Sequence, residues 1–352
     1  MSHFFRCCPS FFLVSHLLAT LHALELKKVI TGGLSPKSVV HAGNGLFFAQ
    51  NMMYSHTITV YNRRYEHIKT IPDSVELYAY GYRAYPKGQK YRGAPVEASF
   101  THGGKYIWVS QYQMYGPGFS NPGHDRCTPA GQHDPSFVYK INTENFVIEK
   151  VIKVGAVPKF QASTPDSRYV LVANWCSWDI SVIDTERNET VHSVKVGRYP
   201  RGIAITKDSA KAYIAVMGSY DVAVLDLKSF ELTWLRHLGR SPRHLLLSED
   251  DSYLYVSFNG EGKVGKVATD SGKIVAKINT GSQPRSMVLS DDGRYLYVVN
   301  YGSDTVSKID TQSMVVLQTV KVNHHPIGIA YDGQTKQVWV ACYSGSLMIF
   351  QD

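Results

Sequence analysis

The sequence predicts an all-β fold: a seven-bladed β-propeller of four-stranded blades in which an N-terminal strand completes the last blade. Three observations lead to this prediction: a repeat of constant length, a strand pattern inside each repeat, and a last repeat that stops short. The period is 42 residues, and it is marked by Pro158, Pro200, Pro242, Pro284 and Pro326. Each proline opens a short apolar run, an Asp-containing turn, a Tyr-rich strand and two further strands. A period of about 40–45 residues with several strands per unit indicates radial repetition.

Residues 1–25 differ from the rest and predict a signal peptide, with an N-terminal anchor as the alternative. Arg6 precedes an apolar run from Phe11 to Leu24, which is too short to cross a bilayer comfortably. Cleavage is expected after Ala23, and residues 26–352 are expected to form a single propeller domain. We therefore expect a protein that is secreted, periplasmic or held at the cell surface.

Two longer repeats precede the regular ones. Pro36 and Pro95 each start the same pattern, and their distances to the next repeat proline are 59 and 63 residues. The extra residues predict insertions at about 71–94, between the first two blades, and at about 112–136, inside the second blade. Long loops on a rigid scaffold commonly carry binding function.

The last repeat predicts how the ring closes. After Pro326 the chain has room for three strands, so the outermost strand is missing there. The segment KKVITGGLSP, which ends at Pro36, aligns without gaps on EKVIKVGAVP, which ends at Pro158. An N-terminal strand can therefore supply the fourth strand, and this closure removes the exposed edges of an open array.

The segments DGRYLYVVNYGSDTVSKID and DSRYVLVANWCSWDISVID resemble the YVTN-type repeats of the YncE-like β-propeller family. The resemblance covers Leu26 to Asp352. It implies the seven-bladed fold but no single activity, because the relatives include nucleic-acid binders and surface proteins. The metal-binding acids of propeller lactonases cannot be matched residue by residue, and the Trp-rich repeats of quinone-dependent propellers are not found.

The residue after each repeat proline is predicted to approach the mouth of the central channel. Five of these seven residues are basic: Lys37, Lys159, Arg201, Arg243 and Arg285. A channel lined by one sign of charge attracts anions, and arginine binds carboxylate or phosphate in a bidentate fork. The formal net charge of +8 agrees with an anionic partner, although a generally basic surface gives the same value. The alternative is a structural ring that bridges neighbouring blades through carbonyls and acids such as Glu97.

Aromatic residues are predicted on loops of the same face. We expect the following to contact a ligand together with the basic residues: Tyr112, Tyr115, Trp175, Trp178, Tyr301 and Tyr343. Aromatic faces beside cations suit bases, sugars or peptide side chains. Packing of the loops onto the blades is the competing explanation.

Three cysteines follow the leader, and export would permit a disulfide. Cys127 lies in the second insertion and Cys176 in the equivalent loop of the next blade. We predict a disulfide between them, with Cys342 as the competing partner. The histidines and aspartates near Cys127 have a spacing that matches no zinc or calcium loop, so we predict no metal site and no cofactor.

The sequence presents no recognisable catalytic set, whereas a hydrolase needs a nucleophile–base pair or a metal-bound water. We therefore favour a non-enzymatic binding or interaction propeller. The alternative is a lactonase-like hydrolase or a periplasmic redox-enzyme subunit with an axial site. The expected partner is an anionic small molecule, a glycan or a protein. Nucleic acid is a weaker candidate because of export. The mature chain is expected to be a monomer without a membrane span.

Overall fold

The computed structural model describes residues 23–352, so the predicted signal peptide lies almost entirely outside the described residues. Seven four-stranded antiparallel sheets are arranged as the blades of a propeller, which confirms the predicted fold class. Every repeat proline is the first residue of the innermost strand of its blade. Proline suits that position because it has no N–H to contribute and its φ angle is already close to that of a strand.

The strands of each blade follow one another from the channel to the rim. Blade 1 contains Pro36–His41, Leu46–Asn51, Thr57–Asn62 and His67–Pro72. Blade 2 contains Pro95–Thr101, Tyr106–Gln111, Ser136–Asn142 and Ile148–Val154. Blade 3 contains Pro158–Ser163, Tyr169–Asn174, Asp179–Asp184 and Glu189–Lys195. Blade 4 contains Pro200–Ile205, Lys211–Val216, Val222–Asp226 and Leu232–Leu235.

The remaining blades repeat this order. Blade 5 contains Pro242–Leu247, Tyr253–Phe258, Lys263–Ala268 and Ile274–Asn279. Blade 6 contains Pro284–Leu289, Tyr295–Asn300, Thr305–Asp310 and Val315–Lys321. Blade 7 contains Pro326–Asp332, Gln337–Cys342 and Ser346–Gln351, with Glu25–Ile30 as its outermost strand.

The strand Glu25–Ile30 closes the ring as predicted. It pairs antiparallel with Ser346–Gln351, so the first and last strands of the chain share one sheet. Just before it, Leu24 is buried in the apolar cluster of blades 6 and 7, and its N–H donates to Oε1 of Gln318 at 2.7 Å. Closure therefore combines a strand ladder with one buried anchor, which leaves no open edge between the two ends.

The hydrophobic core lies between the blades rather than in one place. The second and third strands are buried on both faces, as in the fully buried run Val170–Ala173. Around the axis the inner strands of successive blades contact one another. Their approach is close: a Cβ on Gly202 would lie 2.7 Å from the carbonyl oxygen of Arg243 in the next blade. Glycine is required there because no side chain fits between the two backbones.

The two insertions pack on the structure and on each other. The first carries the short ribbon Ser74–Val75 with Tyr91–Arg92 and the 3-10 helix Leu77–Tyr80; the second carries the 3-10 helix Pro129–Gly131. Hydroxyls of Tyr80 and Tyr82 donate to carbonyls on the outer strand of blade 2, each at 2.9 Å. Tyr85 of the first insertion stacks on Phe119 of the second. Tyrosines of the first insertion thus hold it against the propeller.

No helix within residues 23–352 has the length and apolarity needed to cross a membrane.

Candidate functional site

A cavity of about 510 Å³ lies at the mouth of the central channel, at the end of the blades where the repeat prolines begin the inner strands. The same backbone hydrogen bond recurs from blade to blade around the mouth. The residue after the second strand donates its N–H to the carbonyl of the residue before the repeat proline. The six pairs, at 2.7–3.1 Å, are Tyr112 to Ala94, Trp175 to Val157, Met217 to Tyr199, Asn259 to Ser241, Tyr301 to Gln283 and Tyr343 to His325.

The turn before the proline has a backbone conformation that few side chains adopt. In the five regular repeats the residue preceding the proline has a positive φ angle of 54–61°. These residues are Val157, Tyr199, Ser241, Gln283 and His325. Such a left-handed residue is costly, and most of all for β-branched valine. Its recurrence shows that the turn is part of the repeat. The turn brings two sets of side chains to the mouth: those of the residues after the prolines, which form the first ring, and those of the residues after the second strands.

The first ring consists of the residues after the prolines. All five predicted basic residues line the cavity: Lys37, Lys159, Arg201, Arg243 and Arg285. Four of them are almost completely buried, with exposed fractions of 8%, 8%, 5% and 9% for Lys37, Lys159, Arg201 and Arg243. Of the two apolar members of the ring, Ile327 lines the cavity, whereas Val96 is buried in the protein.

Apart from Lys159, these cations make few hydrogen bonds to other residues within 23–352. The Nζ of Lys37 and the Nε of Arg285 are buried without a hydrogen bond. The guanidinium of Arg243 donates to the sulfur of Met217 at 3.6 Å, and that of Arg201 reaches the carbonyl of Lys159 at 3.5 Å. Both contacts are long, so the ring retains many unused donors.

Burial, together with repulsion between like charges, lowers the pKa values of the basic residues in the ring. Burial lowers the pKa of Lys37 well below its usual value, and Arg201 adds to the effect. The pKa of Lys159 is lowered to about 7, by burial first and by Arg201 second. Burial also lowers the pKa of Arg243 and lowers that of Arg285 to about 10, and Arg285 stays charged at neutral pH. The site therefore holds positive charge at a cost that a bound anion would relieve.

Two acids partly compensate the ring. Glu97 is buried beside it, and burial raises its pKa although Lys37 and Arg201 oppose that shift. Asp125, on the second insertion, forms an ion pair with the Nζ of Lys159 at 2.7 Å. That pairing lowers the pKa of Asp125, whose carboxylate remains largely exposed. Five formal positive charges thus face two formal negative charges.

Aromatic rings support the cations from one side. The Nζ of Lys159 lies 4.0 Å from the ring centre of Trp175 and 5.3 Å from that of Tyr112. The guanidinium carbon of Arg285 lies 3.2 Å from the ring centre of Tyr301. Two of these rings also stack on a second aromatic residue, Trp175 on Tyr199 and Tyr301 on His325. The rings hold the cations in place.

Not all six predicted aromatic residues are brought together. Tyr112, Tyr115, Trp175, Tyr301 and Tyr343 line the cavity. Trp178 does not line it: its ring packs edge-on against Tyr199 at 6.1 Å, with Arg198 near its face. The structure adds lining residues that the sequence reasoning missed, namely Met52, Met53, Gln113 and Met217, and it places Asp125 in the site as an ion-pair partner. Met217 could have been found, because it stands 42 residues after Trp175.

A disulfide between Cys127 and Cys176 joins the second insertion to blade 3, with a Cα–Cα distance of 5.2 Å. The indole Nε1 of Trp175, next in the chain to Cys176, donates to the carbonyl of Asp125 at 3.2 Å. These links hold Asp125 over the cavity. His133 lies near the two sulfurs, which are bonded to each other. Cys342 is a free, buried thiol.

The histidine near the axis, His244, is poorly suited to proton transfer. Burial lowers the pKa of His244 to about 3, helped by Arg201 and Arg243, so its imidazole is neutral at physiological pH. The ring of His244 packs edge-on against Phe160 of blade 3 at 5.1 Å. A general base should have a pKa near the working pH and reach its substrate. What the cavity offers most strongly is a set of positively charged hydrogen-bond donors.

Comparisons with known proteins agree with this architecture. A family model described as a YNCE-like beta-propeller matches residues 129–246 and 190–349, which together span more than half of the chain. Among solved structures, one described as Kuenenia stuttgartiensis Hydrazine Synthase superposes with a TM-score of 0.71. That match covers 97% of this chain and 99% of the other at 18% sequence identity, which shows a shared fold alone. No curated protein matches the chain. By its sequence and its seven blades, the chain belongs to the YncE-like β-propeller family.

Proposed function

We propose that this protein is a secreted or surface-associated binding propeller that captures an anionic ligand or partner in its axial cavity. One observation carries the proposal: five basic side chains converge on one cavity, where two acids face them. Buried charges are normally paired, because an unpaired buried charge is costly. A site that retains such charges is ready to bind an anion, and the bound anion would supply the missing partner.

The position of the cavity supports the same function. It lies on the face that carries the second insertion, and residues of that insertion form part of its wall. The rest of the wall comes mainly from the inner strands, which carry the cations, and from the turns that follow the second strands, so the cations are in place before a ligand arrives. Preorganised donors lose little conformational freedom on binding, which favours affinity. Export of the protein stays a prediction from the leader sequence.

A hydrolytic role is less well supported by the same residues. Hydrolysis needs an activated nucleophile or a metal-bound water near the substrate. His244, with a pKa lowered to about 3, does not accept a proton at neutral pH. The redox-subunit alternative was an expectation from the sequence, and the likeness to Hydrazine Synthase at 18% identity adds only a shared fold to it.

Calorimetric titration of the purified protein with a panel of anions tests the proposal. The panel should include sulfate, citrate, heparin and a short oligonucleotide, all at low ionic strength because salt screens such binding. The informative variant replaces three ring residues together with alanine: Arg201, Arg243 and Arg285. We expect at least one anion to bind the unmodified protein and the triple variant to lose that binding by a factor of 100 or more, since each charge-assisted hydrogen bond contributes about 1.5–3 kcal/mol.

A matched control removes the same amount of charge elsewhere. Arg168, Arg187 and Arg294 are exposed and lie on turns at the opposite end of the blades. Their triple alanine variant changes the net charge by the same amount and should bind as the unmodified protein does. Binding that weakens equally in both triple variants would reflect general surface charge, and absence of binding to every anion would refute the proposal.

A further inference from the structure

The geometry points to the class of ligand: we propose that the axial cavity takes one compact oxyanion with two or three negative charges, for which Asp125 is a built-in competitor at Lys159. This inference rests on the proposed function and makes it more specific. Its central feature is that the ligand enters the cavity whole, as a small molecule does, whereas an extended polyanion would lie across the rim.

The unused donors define the chemistry of the ligand. Three arginines and Lys37 line the cavity. Among residues 23–352 the three guanidinium groups make two long hydrogen bonds, to a sulfur and to a carbonyl, besides the contact of Arg285 with the ring of Tyr301, and the buried Nζ of Lys37 makes no hydrogen bond. Each guanidinium has five N–H donors in a planar fork, which matches two oxygens of a carboxylate, sulfate or phosphate. Several such forks around one space require a ligand with several oxygens, and an anion with one acceptor would leave most of them unused.

The balance of charge indicates how many negative charges the ligand carries. The ring contributes Lys37, Lys159 and three arginines, and Glu97 and Asp125 oppose them. The formal excess is three positive charges, and it falls toward two when a lysine of lowered pKa, such as Lys159, loses its proton. A trianion neutralises the full excess and a dianion neutralises the reduced one, whereas a monoanion leaves positive charge in both cases. Like-charge repulsion within the ring is then relieved most by the trianion.

The enclosure of the cations limits the size of the ligand. The cavity volume of about 510 Å³ lies in the usual range of small-molecule sites. Lys37, Arg201 and Arg243 are each exposed by less than a tenth of their surface. A phosphate within a polymer backbone cannot approach all three without the chain entering a channel that inner strands surround. A free small anion that enters the cavity meets all three residues in its lining.

Asp125 behaves as a carboxylate that already occupies part of the site. It forms the ion pair with Lys159, yet it belongs to the second insertion rather than to the ring. The disulfide of Cys127, two residues further along, fixes the segment to blade 3. An incoming anion must share Lys159 with this carboxylate or displace it. Removing the carboxylate should therefore strengthen ligand binding rather than weaken it.

Titration of the full-length protein with acetate, sulfate and citrate tests the charge requirement. We expect one site per protein and an affinity that rises at least tenfold from acetate to sulfate and rises again for citrate. Phosphate at pH 8 serves as a second dianion and separates phosphate chemistry from sulfate and carboxylate chemistry. Citrate binding no tighter than acetate, or several citrate sites per protein, would overturn the inference.

The substitution Asp125→Asn tests the competitor, with Asp270→Asn as the control. Asp270 is exposed in a turn, so both variants lose one negative charge. We expect citrate to bind roughly three- to tenfold tighter to the Asp125 variant, as the loss of one nearby like charge predicts, and to bind the Asp270 variant as before. Equal affinities in the two variants would contradict the role of Asp125.

Binding of large and small anions distinguishes a wrong ligand class from a wrong proposed function. If heparin or an oligonucleotide binds through Arg201, Arg243 and Arg285 while citrate and sulfate do not, the protein binds anions but its ligand is a polymer. If no anion of any size binds, both proposals fail together.

Discussion

Replacing Arg243 with methionine should stabilise the ligand-free protein while it weakens anion binding. Arg243 is 9% exposed, and its guanidinium makes one long contact to the sulfur of Met217. Its charged neighbours include Arg201 and Arg285, and burial together with these like charges lowers its pKa. Glu97 provides partial compensation. Methionine keeps the apolar stem of the side chain and removes the charge.

The expected magnitude follows from these contacts. The lost N–H to sulfur contact contributes at most about 0.5 kcal/mol, because it is long and sulfur is a weak acceptor. Replacing buried ionic groups with hydrophobic side chains often stabilises a protein by about 1–4 kcal/mol. Since Glu97 partly compensates Arg243, we expect the lower part of that range, about 1–2 kcal/mol. For a domain of this size the Tm should then rise by roughly 1.5–3 °C.

Differential scanning calorimetry without added anions measures the effect, and Arg63→Met provides the control. Arg63 forms two hydrogen bonds, of 2.6 and 2.9 Å, with the carboxylate of Asp332, which is 1% exposed. Losing that partner should cost about 2–3 kcal/mol, somewhat less than for a fully buried pair because Arg63 is a quarter exposed. If Arg243→Met also lowers Tm by several degrees, the ring bridges the blades structurally, and the reasoning is refuted.

Three further predictions concern the site and the closure of the fold. The affinity for sulfate, whose charge is constant from pH 6 to pH 8, should fall as pH rises, because the pKa of Lys159 lies at about 7 and binding favours its charged form. The substitution Lys159→Arg should flatten this pH profile in calorimetric titrations. An unchanged slope would contradict the assignment to Lys159. Leu24→Ala should lower the free energy of unfolding, measured in urea, by about 2–3 kcal/mol. Leu26→Ala, at a position 51% exposed, should change it by no more than about 0.5 kcal/mol. Equal effects would argue against Leu24 as a buried anchor. Replacing both Cys127 and Cys176 with serine should cost about 2–4 kcal/mol, since their disulfide spans 49 residues, and a chain that loses no stability would show that the link does not constrain unfolding.

The sequence predicted the fold well because the propeller is built by repetition. Each of the five regular prolines starts an inner strand, and the same pattern located Pro36 and Pro95 despite irregular spacing. The insertions did not repeat, so no period could predict their internal structure. The ribbon that pairs Ser74–Val75 with Tyr91–Arg92 and the two 3-10 helices depend on contacts that are specific to this chain.

The candidate site was predictable to the extent that it follows the repeat. The five basic residues share one position in the repeat, and the structure places all of them on one cavity. Trp178 does not line the cavity: three positions beyond Trp175, its ring packs edge-on against Tyr199 and lies beside Arg198. Asp125 could not have been assigned to Lys159, because that contact depends on how a non-repeating insertion folds over the mouth.

Anomalous diffraction from crystals grown with selenate, a dianion that resembles sulfate, would test the central claim most directly. Selenium marks each bound anion independently of model bias. The account predicts one strong anomalous peak on the propeller axis, within hydrogen-bond distance of Arg243 and at least one other residue of the basic ring. Peaks confined to exposed arginines such as Arg168, with no selenium at the axis, would contradict it.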